Sequence, residues 1–189
     1  IPALDHYVRG VRSGFVNYII ARSHVGKTQL IMQGIRNNPS VPTLFFSADD
    51  DPDLVVRKMM FFDGLYPTID AAWSAKPAEM AEYVARFYPS LDIVDNVTWG
   101  PVAHNGMVSV ADAVETFTDS YGVPPGLLVY DYLGIDGQDF ASTMTIAGWQ
   151  KELVRIMPMP VVVIAQSNRS STKTEKAADG TTVRRGFLM

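Results

Sequence analysis

The fold of this chain is decided near its amino terminus, where residues 16–28 read VNYIIARSHVGKT. The run from Val16 to Ala21 is apolar and rich in β-branched residues, which is typical of a strand buried in a parallel sheet. A helical pattern, QLIMQGIRNN, follows directly at residues 29–38. A strand, a short loop and a helix therefore open the chain, and this order predicts an α/β fold.

The loop matches G-x-x-x-x-G-K-[ST] at every fixed position except the first, where Ala21 replaces glycine. In such a loop, backbone N–H groups and the helix N-terminus surround phosphates, and Gly26 allows a close approach. Lys27 would neutralise the β- and γ-phosphates, while the Thr28 hydroxyl would bind Mg²⁺. A chance match and a solvent-facing His24 are the alternatives. We expect ATP to be held by Ala21, Arg22, Ser23, His24, Val25, Gly26, Lys27, Thr28 and Gln29.

Strand and helix patterns alternate along the rest of the chain. Further apolar runs cover residues 43–47, 91–94, 127–130 and 161–165, and amphipathic stretches cover residues 27–37, 52–62, 77–88, 109–121 and 143–157. This alternation predicts one domain over residues 1–189, with a mainly parallel central sheet and helices on both faces. Residues 167–185 have no core pattern and are predicted to form a mobile loop.

Three of these strands end in polar residues that suit phosphate chemistry. Asp131 follows the run Leu127 to Tyr130 as in a Walker B element, and its carboxylate would hold Mg²⁺; a strand-end cap is the alternative. Asp49 follows the strand at residues 43–47 and is the candidate base for the attacking water, whereas we expect its neighbour Asp51 to cap a helix. Gln166 ends the last strand and could hydrogen-bond the γ-phosphate.

Composition limits the other classes of function. The 189 residues carry a formal net charge of -4 and no cysteine, which excludes disulfide scaffolds and thiol nucleophiles. No apolar run approaches the roughly 18 residues of a membrane span, and we expect a cytoplasmic protein that does not bind membranes. The three histidines are too scattered for a metal cluster.

Positive charge is concentrated near the end of the chain. Residues 166–189 hold five basic and two acidic side chains, a net charge of +3, against -7 for the remainder. Such a segment on an acidic body suits contacts with DNA phosphates, although a solvated loop is the alternative. The candidate DNA-binding residues are Arg169, Lys173, Lys176, Arg184 and Arg185.

Together these elements resemble the RecA-type motor core of the DnaB-like replicative helicases. Ala21 and Arg22 match the family's loop A-R-P-x-M-G-K-T, and LFFSAD at residues 44–49 resembles L-F-F-S-L-E. DYL at residues 131–133 matches the start of D-Y-L-Q-L, and VIAQSNR at residues 163–169 resembles V-A-L-S-Q-L-N-R. The resemblance covers roughly residues 1–170 and implies a RecA-like P-loop NTPase of a phage type.

The sequence also departs from the family pattern. Asp49 stands where the family has its catalytic glutamate, and Gly134 replaces the glutamine after D-Y-L. Arg184 and Arg185 are the only candidates near the family's arginine finger, and neither is assigned that role. The family's primase-docking domain is absent from the sequence, which starts at Ile1 without a methionine, and whether the chain is a fragment stays open.

The resemblance implies an ATP-dependent DNA helicase motor, in which Asp49, Lys27 and Gln166 are catalytic and Thr28 and Asp131 hold Mg²⁺. It would form a ring or spiral, expected to be a hexamer, with ATP between subunits and single-stranded DNA in the centre. Primase or other replisome proteins are further expected partners, in the bacterial cytoplasm if a phage encodes the chain. Two alternatives stay open: a RecA-like recombinase or accessory ATPase, and a nucleotide-binding helicase loader or regulator without efficient hydrolysis.

Overall fold

The computed structural model describes residues 10–22, 24–48, 50–95, 97–98, 107–133, 140–166, 172–176 and 182–186. Its strands are β1 (Val16–Ala21), β2 (Thr43–Ser47), β3 (Leu91–Asp95), β4 (Val97–Thr98), β5 (Val108–Ser109), β6 (Leu127–Leu133), β7 (Val161–Gln166), β8 (Thr172–Lys176) and β9 (Thr182–Gly186). Five of them form a wholly parallel sheet in the order β1-β7-β6-β2-β3. The pairs β4–β5 and β8–β9 stand apart from this sheet.

Helices connect the strands of the sheet. They are α1 (Lys27–Arg36), α2 (Pro52–Phe62), α3 (Ile69–Ala72), α4 (Pro77–Phe87), α5 (Val110–Tyr121) and α6 (Phe140–Ile156). Local signals set several of their ends. The Asp51 side chain accepts a hydrogen bond from the Leu54 N–H at 2.7 Å and caps α2, which begins at Pro52. Helix α5 ends at Gly122, whose φ of 71° is the left-handed conformation that glycine adopts without steric cost.

The core consists of one apolar cluster on each face of the sheet. Phe45 points to the cluster formed with α1, α2 and α4, which includes Met32 and Met59. Its neighbours on the strand, Leu44 and Phe46, belong to the cluster formed with α5 and α6. All five residues of β2 are buried, as a strand covered on both faces requires. The expected parallel sheet with helices on both faces is therefore confirmed.

The strand register gathers the polar strand ends at one edge of the sheet. Ala21 at the end of β1 is opposite Gln166 at the end of β7. Asp131 in β6 is opposite Ser47, the last residue of β2. The Ala48 N–H then donates to the Asp131 carbonyl at 2.7 Å, which ties the turn after β2 to β6. The carboxyl ends of four neighbouring strands thus meet where α1 begins, as open α/β folds place their ligand sites.

Short elements between β2 and β3 have no counterpart in the sequence pattern. Thr68 caps the four-residue helix α3 by accepting from the Ala71 N–H at 3.1 Å. Arg57 of α2 then donates to the carbonyls of Ala72, Trp73 and Ala75 at 2.9–3.0 Å. A single helical turn held by a distant guanidinium leaves no periodic signal, which explains why the sequence does not predict it.

The largest difference concerns the loop predicted at residues 167–185. Residues 172–176 and 182–186 instead pair as the antiparallel strands β8 and β9. Nine positions of the predicted loop, residues 172–176 and 182–185, are therefore in regular strands, and its mobility stays a prediction. They lack the apolar residues that indicate a core strand, yet threonine favours strands and a two-stranded ribbon can form without a core face.

Candidate functional site

The loop between β1 and α1 has the backbone geometry that a phosphate-binding loop needs. Gly26 lies at the N-cap of α1 with φ 87° and ψ 25°, a left-handed conformation that favours glycine. His24 also has a positive φ of 60°, which is costly for a residue with a side chain. Its side chain is exposed, as expected. Backbone strain of this kind is concentrated at ligand-binding turns. In this short loop, both His24 and Gly26 have the left-handed conformation.

The N-terminus of α1 is free to bind an anion. Among the described residues no side chain caps it, and its first turn holds no acidic residue. Its N–H groups therefore lack the usual partner, and the positive end of the helix dipole is not neutralised from within. An anion such as a phosphate group would satisfy both requirements.

Lys27 bends back over the loop. Its ammonium donates to the carbonyls of Arg22 at 2.7 Å and Ala21 at 3.2 Å. Within the part of the chain that the structure describes, no carboxylate pairs with it as a salt bridge. The Lys27 charge is thus held at the mouth of the loop and is available to an incoming phosphate.

The two predicted magnesium ligands are in direct contact. The Thr28 hydroxyl donates to Asp131 Oδ2 at 2.5 Å, joining the start of α1 to β6 across 103 residues of sequence. Burial raises the pKa of the Asp131 carboxyl, and Asp50 raises it further. The hydrogen bond from Thr28 and the charges of Lys27 and Lys58 oppose that rise. A hydroxyl beside a largely buried carboxylate is a hard-oxygen donor set that fits Mg²⁺.

The three aspartates after β2 have different environments. Asp51 caps α2, as predicted. Asp50 accepts from the Lys58 ammonium at 2.5 Å, and both side chains are about one-third exposed or less. Asp49, the predicted base, lies outside the described residues. Sequence reasoning missed Lys58, because its ion pair with Asp50 depends on the shape of the turn between β2 and α2.

The remaining predicted site residues divide into two groups. In the nucleotide loop, Val25 and Gln29 are exposed and Arg22 offers its carbonyl to Lys27, whereas Ser23 lies outside the described residues. The backbone of Gln166, at the end of β7, lies opposite Ala21. Its predicted role as a γ-phosphate partner stays a prediction.

Four of the five predicted DNA-binding residues, Lys173, Lys176, Arg184 and Arg185, belong to the β8–β9 ribbon. Arg169 is outside the described residues. The register places Lys173 opposite Arg185 and Thr174 opposite Arg184. Because alternate residues of a strand face opposite sides, Lys173 and Arg185 share one face of the ribbon and Lys176 and Arg184 share the other. The basic residues of the ribbon therefore do not form a single row.

Comparison with known proteins supports the fold. No protein-family model and no curated protein sequence matches the chain. Among solved structures, the ATPase domain of a helicase superposes with a TM-score of 0.65 and 17% identity, over 90% of this chain and 63% of that one. A DnaB-like replicative helicase, solved in a study of its interactions with primase, gives a TM-score of 0.65 and 15% identity, over 90% and 43%. The chain thus spans less than two thirds of either protein, and it shares their RecA-like α/β fold.

A membrane-spanning helix and a metal centre of several acidic or histidine side chains are both absent from the described ranges. No helix there is long and apolar enough to cross a membrane. No group of three or more His, Asp or Glu side chains gathers as a metal centre in the same ranges. The Thr28–Asp131 pair supplies a hydroxyl and a carboxylate oxygen, which are the kind of ligand that Mg²⁺ prefers.

Proposed function

We propose that this chain is an ATP-hydrolysing DNA helicase motor of the DnaB-like type. The observation that carries the proposal is the contact between Thr28 and Asp131, which joins the phosphate-binding loop to the end of β6. Free N–H groups at the start of α1 and the Lys27 ammonium would bind the phosphates of ATP. Thr28 and Asp131 would hold Mg²⁺, which when bound supplies positive charge that neutralises the phosphate oxygens.

Hydrolysis needs a group that orients the attacking water. We assign this role to Asp49, because Asp50 is engaged by Lys58 and Asp51 by the cap of α2. Gln166, on the strand next to Ala21, would contact the γ-phosphate and relay its loss to the segment that follows. The shared fold with helicase motor domains supports this assignment of roles.

We further propose that the motor works as a ring or spiral of identical chains, expected to be a hexamer, with ATP at the subunit interfaces. Single-stranded DNA would pass through the centre, and a primase would be a partner, as for the DnaB-like helicase with the same fold. The basic residues of β8 and β9 would supply local positive charge on an acidic protein. Residues 1–189 are proposed to form one domain.

ATP turnover with and without single-stranded DNA tests the proposal. Hydrolysis should require Mg²⁺ and should increase when DNA is added. Lys27→Ala should abolish it while leaving the fold intact by circular dichroism, because the hydrogen bonds of the ammonium to described residues go to loop carbonyls and not to the core. Unwinding of a forked duplex would then separate a helicase from a recombinase. Unchanged turnover in folded Lys27→Ala would overturn the nucleotide site itself.

One observation favours a second function, a nucleotide-binding loader or regulator of a helicase. The Asp49 side chain is one methylene shorter than the glutamate of the family pattern, so its carboxylate reaches less far toward an attacking water. A chain with this shorter base would bind ATP with Mg²⁺ and hydrolyse it slowly. Tight Mg²⁺-dependent ATP binding without turnover, in the presence of DNA, would support this function over the motor.

A further inference from the structure

A groove of about 410 Å³ opens beside the phosphate-binding loop. Apart from the loop itself, its lining comes from Ile19 of β1 and from Gln29, Leu30 and Gln33 of α1. Its volume lies within the range of about 300–1,000 Å³ that small-molecule sites occupy. Strand β1 is at the edge of the parallel sheet, so the groove is at the side of the nucleotide site and not in its centre.

The groove lies where the nucleoside end of a nucleotide bound in the loop would be expected. Asp131 and Asp50, the carboxylates of the phosphate site, come from β6 and from the turn after β2. Strand β7 separates β6 from β1 in the sheet. If the terminal phosphate lies near Asp131, the nucleoside leaves the loop on the opposite side, toward β1 and the groove.

The face of α1 that lines the groove is distinct from the face that packs on the sheet. Met32 and Ile35 are buried in the core, whereas Gln29 and Gln33 are exposed and one turn apart. A rise of about 1.5 Å per residue places Gln33 about 7–8 Å along the helix from Thr28. The groove therefore offers amide groups beyond the phosphates, beside the aliphatic side chain of Leu30.

We infer that this groove takes the base of the nucleotide and that Gln33 selects adenine. Apolar contacts with Ile19 and Leu30 suit the faces of an aromatic ring. A glutamine amide pairs with adenine in two ways at once, because its oxygen accepts from N6–H and its nitrogen donates to a ring nitrogen. Among the described lining residues there is no carboxylate to accept from the adjacent N1–H and N2–H groups of guanine. The inference rests on the proposed function, since it needs the triphosphate in the loop.

Calorimetric titrations of the whole chain with Mg²⁺ and ATP, GTP or inorganic tripolyphosphate test this inference. Gln33→Ala should weaken ATP binding about 3- to 10-fold, the effect of removing a neutral hydrogen bond, and leave tripolyphosphate binding unchanged. Gln33→Glu keeps the acceptor but removes the donor, so the ratio of ATP to GTP affinity should fall by about tenfold. The added charge repels both triphosphates equally and cancels in that ratio. Asn37→Ala, at the exposed end of the same helix, is the matched control and should change nothing.

The outcomes separate this inference from the proposed function. Parental affinities and an unchanged ATP-to-GTP ratio in both Gln33 variants, with tripolyphosphate still bound, would overturn the base site and leave the phosphate site standing. A parent chain that binds neither ATP nor tripolyphosphate would overturn both. An equal decrease in ATP and tripolyphosphate affinity in Gln33→Ala would overturn the base site as well, because the residue would then only support α1.

Discussion

Lys58 on α2 and Asp50 in the turn after β2 form an ion pair, with Nζ 2.5 Å from Oδ2. Both charges act on Asp131: Asp50 raises the pKa of that carboxyl and Lys58 lowers it. The pair therefore connects the acidic turn electrostatically to Asp131, the proposed Mg²⁺ ligand. Lys58 both holds the turn on α2 and offsets the like charge of its carboxylate.

Removal of Lys58 should impair turnover more than binding. In Lys58→Ala the turn that carries Asp49 is no longer anchored, so we expect kcat to fall by about 10- to 100-fold, the effect of misplacing a catalytic group. ATP affinity should change little because Lys58 contacts Asp50 and not the loop. Lys58→Arg keeps the ion pair and should restore most of the activity, as measured by steady-state kinetics. A parental kcat in Lys58→Ala would show that the ion pair is dispensable.

Substitutions of Asp49, Asp50 and Asp51 should have different effects on ATP hydrolysis. Asp49→Asn should lower turnover by about 10²- to 10⁴-fold with little change in ATP affinity, the range for loss of a general base. Asp49→Glu restores the family's longer side chain and should retain or raise activity. Asp51→Asn keeps a good N-cap and is the matched control. If Asp50→Asn is the inactive variant and Asp49→Asn is normal, the base is one residue further along.

Asp131→Asn should weaken Mg²⁺-dependent nucleotide binding while leaving the apo protein folded. The oxygen of the new amide can still accept from Thr28, but the charge that faces the ion is gone. Burial raises the pKa of Asp131, so the ionised form is disfavoured in the folded state. In the metal-free parent, the protonated Asp131 carboxyl therefore contributes to the free energy of unfolding below about pH 3.9. This contribution is lost as pH rises through the folded pKa.

The raised pKa of Asp131 and its proposed role as a Mg²⁺ ligand can be tested by thermal unfolding and by nucleotide binding. Without Mg²⁺, thermal unfolding at pH 7 should show Asp131→Asn to be at least as stable as the parent, and the difference should shrink at low pH. With Mg²⁺ and ATP, only the parent should gain further stability. Parental binding should also weaken on acidification at a higher pH than an ordinary aspartate would give. Equal affinity of parent and variant for Mg-ATP would reduce Asp131 to a strand-end cap.

Much of this fold can be predicted because burial leaves a direct pattern in the sequence. The apolar run predicts β2 with its observed bounds, Thr43–Ser47, since all its side chains are buried between two helical layers. Helix α2 is predicted as well, because Asp51 and Pro52 mark its start. The apolar runs stop short of the ends of β6 and β7, since β6 continues through the polar Asp131 to Leu133 and β7 ends on the polar Gln166.

The unpredicted features depend on contacts between distant segments. The loop motif predicts Thr28, and the strand-end position predicts Asp131, as ligands of one ion; their roles stay predictions, but the structure places the two side chains in contact. Nothing in the sequence indicates that Lys58 pairs with Asp50, because that ion pair depends on the shape of the turn between β2 and α2. The β8–β9 ribbon escapes prediction for a related reason: its pairing follows backbone register, which polar residues do not specify.

The strand register of the β8–β9 ribbon divides its four basic residues between two faces, which makes the prediction for DNA binding more specific. Lys173 and Arg185 share one face, while Lys176 and Arg184 share the other. Replacing Lys173 and Lys176 together, the direct test from sequence, removes one charge from each face. It should weaken single-stranded DNA binding without regard to base sequence and flatten the salt dependence by roughly 0.7 for each phosphate neutralised by these side chains.

Variants matched by face locate the contact. If one face of the ribbon meets the DNA, Lys173→Ala with Arg185→Ala and Lys176→Ala with Arg184→Ala should differ, although each pair removes two positive charges. The pair on the DNA face should lower affinity and reduce the salt slope by about 1.4, since two phosphates are no longer neutralised. The other pair should have a slope close to the parent's, and neither should change ATP binding without DNA. Fluorescence anisotropy of a labelled oligonucleotide over a salt series measures both quantities. Parental affinity and slope in both pairs would show that the ribbon does not contact DNA, and the helicase proposal would then rest on the nucleotide site alone.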